Sequence, residues 1–162
     1  MRIGVTGHQR LTEPEAWDWV RSQINMILDH AASPLIGISS LAIGADQMFA
    51  ESVLGHGGVL EVVIPFPEYE ERFTTERERE VYRRLLKHAA RRIVLDRAGS
   101  DEESYCAAGW LIVDSADLLI AVWDGVPAKG LGGTGDVVRY AEQAGKPIVH
   151  INPIKRRVEA RP

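Results

Sequence analysis

Two hydrophobic periods alternate along this chain, and that alternation is the feature that most restricts its fold. Short, nearly unbroken apolar runs occur at residues 2–6 (RIGVT), 34–39 (PLIGIS), 59–64 (VLEVVI), 92–95 (RIVL), 117–123 (DLLIAVW) and 148–151 (IVHI). Longer stretches with apolar residues every three or four positions separate them. A strand that is apolar throughout must be covered on both faces, and parallel neighbours need a crossover about as long as a helix. The pattern therefore specifies an α/β chain: a doubly wound, mostly parallel sheet in a single three-layer domain.

The helical stretches carry their own start and stop signals. From Glu13 onward, Trp17, Val20, Ile24, Ile27, Leu28 and Ala31 mark one helix face, and Thr12 with Pro14 and Glu15 reads as a capping-box start. Ala45–Leu54 is read as a helix stopped by Gly55, Glu102–Ser115 as another, and Gly133–Ala144 as the last, ended by Gly145-Lys146-Pro147. Thr75–Ala90 is a charged helix whose ERERE run is read as a solvated surface, with Val81, Leu85, Leu86 and Ala89 facing the core. Residues 1–152 are expected to form the domain and 153–162 a basic, flexible C-terminal tail. Trp110 and Trp123 fall on core elements and are read as packing residues, Trp123 being the better placed to stack on a ligand. Trp17 and Trp19 cannot share one helix face, so Trp19 is expected to be partly exposed and to mark a contact in a homo-oligomer.

Composition excludes several classes. A chain of 162 residues with 45% hydrophobic and 26% charged residues is that of a globular domain. Its formal net charge of −4 offers no basic footprint for a polyanion, so nucleic acid is not expected as a partner. Cys106, the single cysteine, builds no disulfide framework and, with Tyr105, is read as buried and inert. No spacing of His, Cys, Asp and Glu reads as a metal site, and no cofactor is expected. The opening MRIGVTGHQRL has no long apolar segment, and no apolar run approaches the roughly 20 residues of a membrane span. A cytoplasmic protein without membrane contact is the expectation.

In a doubly wound sheet, ligands sit beyond the carboxyl ends of the strands. Here those loops hold Thr6-Gly7-His8-Gln9-Arg10, Ser39-Ser40 through Gly44-Ala45-Asp46, Pro65-Phe66-Pro67-Glu68, Asp96 through Ser100, and Asp124 through Asp136. The opposite edge carries plain turns. Two of these loops, SSLAIGAD and GLGGTGD, are glycine-containing turns leading into helices, where bare backbone and unpaired amides suit phosphate. Neither is a P-loop, and there is no GxGxxG after the first strand.

The individual candidates follow from their positions. His8 is placed either to hydrogen-bond a phosphate or act as a general acid, or to cap loop backbone. Arg10 is the nearest fixed cation to that turn, a phosphate clamp or a solvated side chain. Asp46 either touches ligand or favours the positive helix end; Asp124 is a ribose-hydroxyl acceptor or the first residue of an Asp-Gly turn. Ser39 and Ser40 line the same crevice. Glu68 and Asp136 are the weak catalytic candidates, as carboxylates available for acid–base work.

TGHQR, SSLAIGADQMFAE, VVIPFP, AGWLIVDSADLLIAVWDG and GGTGDVV, in this order over about residues 2–151, resemble the SLOG superfamily. That superfamily includes the DNA-processing A proteins (DprA/Smf) and the LOG, or lysine-decarboxylase-like, phosphoribohydrolases. The resemblance implies a Rossmann-like fold and a nucleotide or nucleotide-derived ligand. It implies that Gly7 and the run Gly132-Gly133-Thr134-Gly135 take the phosphate, while Gly44 and Asp46 shape a second wall. LOG enzymes carry PGGxGTxxE; here Leu131 replaces the proline, Asp136 the threonine and Arg139 the catalytic glutamate. The glycines carry over and the carboxylate does not. The expected function is therefore binding or sensing of a small nucleotide-type ligand. The alternative is hydrolysis of a nucleotide N-glycosidic bond by Glu68, Asp46 or Asp136.

Overall fold

The computed structural model describes residues 1–127 and 132–162. Gly130 and Leu131, which the sequence reading uses, lie outside the described residues. In chain order the elements are β1 (Arg2–Gly7), α1 (Ala16–Asp29), β2 (Ile36–Ser39), α2 (Ala45–Gly55), β3 (Val59–Ile64) and a 3-10 turn (Tyr69–Arg72). They continue with α3 (Glu76–Lys87), β4 (Arg91–Val94), α4 (Asp101–Ser115), β5 (Leu118–Val122), α5 (Thr134–Gln143), β6 (Ile148–Asn152) and β7 (Arg157–Arg161). They form one sheet in the order β4-β3-β2-β1-β5-β6-β7. Every pairing is parallel except β6 with β7. The strand order reverses between β1 and β5, which pair in the register Gly7↔Val122.

Successive side chains of a strand point to opposite faces, and the two faces bury different helices. Ile3 and Val5 of β1 with Ile120 and Val122 of β5 pack under α1 (Val20, Ile24, Leu28) and α2 (Met48, Phe49, Val53). On the other face, Leu119 and Ala121 of β5 meet α4 (Ala108, Ile112, Val113) and α5 (Val137, Val138, Ala141). A third cluster joins β3 to the 3-10 turn and α3 through Leu60, Val62, Ile64, Phe66, Tyr69, Phe73, Tyr82 and Leu85. Right-handed crossovers explain the layering: moving from β1 toward β4 keeps α1 to α3 on one face, and the return to β5 carries α4 across the other. Gly4 permits that crossing, since a Cβ there would lie 2.7 Å from Ile112 Cγ2.

Three local expectations are corrected. Thr12 caps nothing: α1 starts after Glu15, which makes no side-chain cap, because a turn with Ala16 N–H donating to the Glu13 carbonyl comes first. Capping boxes form instead at Thr75/Glu78 and Ser100/Glu103, opening α3 and α4. The C-terminal segment is not a loose tail over its whole length. Arg157–Arg161 adds an antiparallel edge strand, tied by Arg161 to His150 Nδ1 at 2.9 Å and to Glu142 at 2.9 Å. Trp110 is 43% exposed and stacks on Tyr140, with ring centroids 5.4 Å apart, where core packing is the sequence expectation. Trp17 and Trp19 are both half-buried against the α1 core. Among the described residues, no helix is long and apolar enough to cross a membrane.

Candidate functional site

Beyond the carboxyl ends of β1 and β5, where the order reverses, lies a cavity of about 750 Å³. It is lined from five sides: the β1 loop, the β2–α2 turn, the segment between β3 and α3, one face of α4, and the β5 loop with the first turn of α5. Of the sequence candidates, Gly7, His8, Arg10, Ser40, Asp46, Asp124, Gly132, Gly133, Thr134 and Gly135 line it. Ser39, Gly44, Glu68 and Asp136 do not.

The β1 and β5 loops are stitched together. His8 N–H donates to the Val122 carbonyl at 3.0 Å, and the Asp124 N–H donates to His8 Nε2 at 3.2 Å. Asp124 Oδ1 also lies 3.2 Å from that nitrogen and accepts the Val126 N–H at 2.9 Å. An unprotonated Nε2 takes the amide; a protonated one donates to the carboxylate. Asp124 is thus the acceptor of its own Asp-Gly turn, and it still borders the cavity.

The β2–α2 turn is folded around a buried carboxylate. Asp46 is 6% exposed, and its Oδ2 accepts Ser39 Oγ–H at 3.1 Å and Ser40 N–H at 3.1 Å. Burial pushes its pKa from 3.8 up to about 6, against the pull of these hydrogen bonds. Ser39 is fully buried, and its contact with the site is the hydroxyl that donates to Asp46. The Ala45 N–H, first in α2, donates to the His8 carbonyl at 3.1 Å, so this helix start serves the β1 loop. Gly44 is required by that docking. Its φ is +83°, and a Cβ would stand 2.5 Å from the carbonyl oxygens of both His8 and Gln9. A Cβ on Gly7 would likewise meet Ala45 Cβ at 2.5 Å, so that glycine admits α2 against β1.

The α5 side differs. Asp136 Oδ2 accepts the Gly132 N–H at 3.1 Å and its other oxygen pairs with Arg139 at 2.9 Å, which shapes the loop and engages the carboxylate. The first amides of a helix have no intrahelical partners, and at the start of α5 Gly133, Thr134 and Gly135 line the cavity, while the Asp136 N–H donates to the Gly133 carbonyl at 3.0 Å. Glu68 pairs with Arg97 at 3.2 Å, away from the cavity. Neither weak catalytic candidate is therefore a free carboxylate in the site.

Sequence reading missed the wall between β3 and α4. Tyr69, Arg72, Phe73, Thr74 and Glu78 border the cavity, as do Glu102 and Tyr105 of α4. Arg10 reaches Glu78 at 3.1 Å, and Arg72 reaches Asp101 at 2.5 Å. The Asp101 carboxyl is held below the usual carboxylate range by Arg72 and Arg97. Trp123 also borders the cavity; its indole N–H donates to the Val126 carbonyl at 2.8 Å and its ring lies 5.4 Å from that of His150. Burial pushes the Cys106 thiol up. Among the described residues, no group of three His, Cys, Asp or Glu side chains is arranged to hold a metal ion.

A mostly parallel, doubly wound sheet with its cavity at the reversal of strand order defines a Rossmann-like α/β fold. Among solved structures, the DNA processing protein A of Helicobacter pylori aligns over 93% of this chain and 64% of its own, at 16% identity and a TM-score of 0.66. That of Streptococcus pneumoniae aligns over 92% and 49%, at 19% identity and a TM-score of 0.64. The chain thus spans less than two thirds of either. The molybdenum cofactor binding protein from Rippkaea orientalis aligns over 92% and 74%, at 17% identity and a TM-score of 0.59. No family model and no curated protein sequence matches the chain.

The Helicobacter pylori structure is described by its single-stranded DNA binding mode. That overturns the expectation drawn from net charge against nucleic acid. Net charge reports on non-specific attraction to a polyanion, whereas a strand can be held by a local groove and stacked bases.

Proposed function

We propose that this protein binds a nucleotide or nucleotide-derived phosphate ligand in the cavity at the β1–β5 reversal. The observation that carries this reading is the convergence there of the α5 first turn with polar side chains from the β1, β2 and β5 loops around about 750 Å³. That volume is within the 300–1,000 Å³ or so usual for small-molecule pockets. The phosphate is assigned to the amides of Gly133, Thr134 and Gly135, assisted by the helix dipole. Asp124 and His8 flank the sugar. Solved neighbours of this fold bind single-stranded DNA and molybdenum cofactor, which supports a ligand-binding use of the same fold.

A thermal-shift panel of AMP, ADP, ADP-ribose and a single-stranded oligonucleotide tests the reading. A ligand at 100 times its Kd stabilises by about 2.7 kcal/mol, which corresponds to roughly 5–10 °C for a chain of this size. Gly133→Val is expected to abolish the shift. No shift with any member defeats the proposal, and a shift with the oligonucleotide alone transfers it to nucleic acid.

Asp46 favours one second reading, hydrolysis of the N-glycosidic bond. It is a buried, cavity-lining carboxyl with its pKa raised to about 6, suited to protonating a departing base. Water would add across the C1′–N bond to give a sugar phosphate and free base. Chromatography of nucleoside monophosphates incubated with protein should then show base release that Asp46→Asn abolishes.

A further inference from the structure

We infer that the β3–α4 end of the cavity seats an uncharged planar heteroaromatic ring of the ligand, a nucleobase or its like, against the side chain of Tyr105. This rests on the nucleotide reading and adds the ligand's orientation.

Three observations carry it. The first is the wall itself. Tyr105 is half-buried and borders the cavity, backed by Phe66 at 5.9 Å and Tyr69 at 6.1 Å between ring centroids. Phe73 and Tyr69, centroids 5.4 Å apart, continue the apolar surface. The rings behind Tyr105 hold it in place, so stacking on it costs little side-chain entropy.

The second is charge. The arginines at this end are already matched: Arg10 by Glu78, Arg72 by Asp101, Arg97 by Glu68 and Asp101. Glu102 adds a further carboxylate to that lining. A phosphate is therefore disfavoured here and sent to the α5 side, while an uncharged ring with N–H donors is not.

The third is spacing. Gly132 lies against Tyr105, since a Cβ on that glycine would stand 3.1 Å from Tyr105 Cβ. The glycine run and the aromatic wall are therefore adjacent. A phosphate at one and a base at the other belong to a single nucleotide.

Isothermal titration with AMP, ribose 5-phosphate and adenosine on the wild type, Tyr105→Phe and Tyr105→Ala tests this. Alanine keeps the Cβ that Gly132 packs against, and a thermal melt verifies that each variant is folded. AMP should bind at least 10-fold more tightly than ribose 5-phosphate. Tyr105→Ala should weaken AMP about 10-fold, within the range of base stacking on an aromatic side chain, while leaving ribose 5-phosphate unchanged; Tyr105→Phe should restore AMP binding. Equal affinity for AMP and ribose 5-phosphate, or equal weakening of both by Tyr105→Ala, overturns the assignment and leaves the nucleotide reading standing. Failure of all three probes to bind overturns the assignment, and overturns the nucleotide reading as well when ADP and ADP-ribose also fail.

Discussion

At the scale of single residues, the glycines change meaning between sequence and structure. Gly7, Gly44 and Gly132 each have a protein atom within 2.6 Å of where a Cβ would be, so packing alone demands them. Spacing in the sequence puts their loops at the crevice edge, but cannot separate clearance for a ligand from clearance for α2 or α4. Asp46 shows the complementary case: its type and position were legible, its burial was not. Because its pKa is raised from 3.8 to about 6, the folded protein holds a proton there more firmly than the unfolded chain does. Its contribution to stability therefore falls as pH rises from about 4 to 6. Asp46→Asn removes that dependence. Denaturant unfolding across pH 4–7 should show the variant gaining on the wild type as pH rises, by something on the order of 3 kcal/mol over the range. Parallel curves for the two proteins would mean that Asp46 is not desolvated.

Among the elements, termini were the weakest part of the sequence reading. Thr12 with Glu15 and Ser100 with Glu103 share a capping-box spacing, yet only the second forms one. The difference is that residues 13–16 make a turn of their own, which delays α1. Ser100→Ala should accordingly cost about 1 kcal/mol and Thr12→Ala less than about 0.5 kcal/mol. Thermal melts of the two variants check this; equal losses would contradict the assigned caps. The strand β7 was equally hidden. RVEAR is too charged to read as a strand, and it becomes one because β6 offers an open edge and Arg161 finds His150 and Glu142. Trp110 misled in the other direction: an apolar helix says that a tryptophan sits on α4, while the position of α5 and Tyr140 decides that it faces outward.

For the molecule as a whole, the reversal between β1 and β5 sets the position of the cavity. The cavity draws its walls from segments far apart in sequence and from both helical layers. A bound nucleotide should therefore slow hydrogen exchange at once in residues 7–10, 40–46, 123–126 and 132–137. Mass-spectrometric exchange with and without ligand measures this, and protection confined to one of these segments would place the ligand elsewhere. The lesson about nucleic acid belongs at this scale too. A total charge of −4 sums the surface and says nothing about one groove.

What the sequence determined by itself was the architecture and the sheet edge at which the cavity opens. Apolar runs such as 117–123 cannot be left uncovered, and helices between them leave little but a parallel, doubly wound sheet. Small and polar residues after each strand then mark the crevice side. What the tertiary structure decided was which of those residues share a cavity and what each is engaged in. Only the fold buries Asp46 beneath Ser39, ties Asp136 to Gly132 and Arg139, turns Glu68 away toward Arg97, and brings Tyr105 from α4 to the glycine run. These contacts join positions that no local period connects, and their energies depend on desolvation and on partners supplied by other elements.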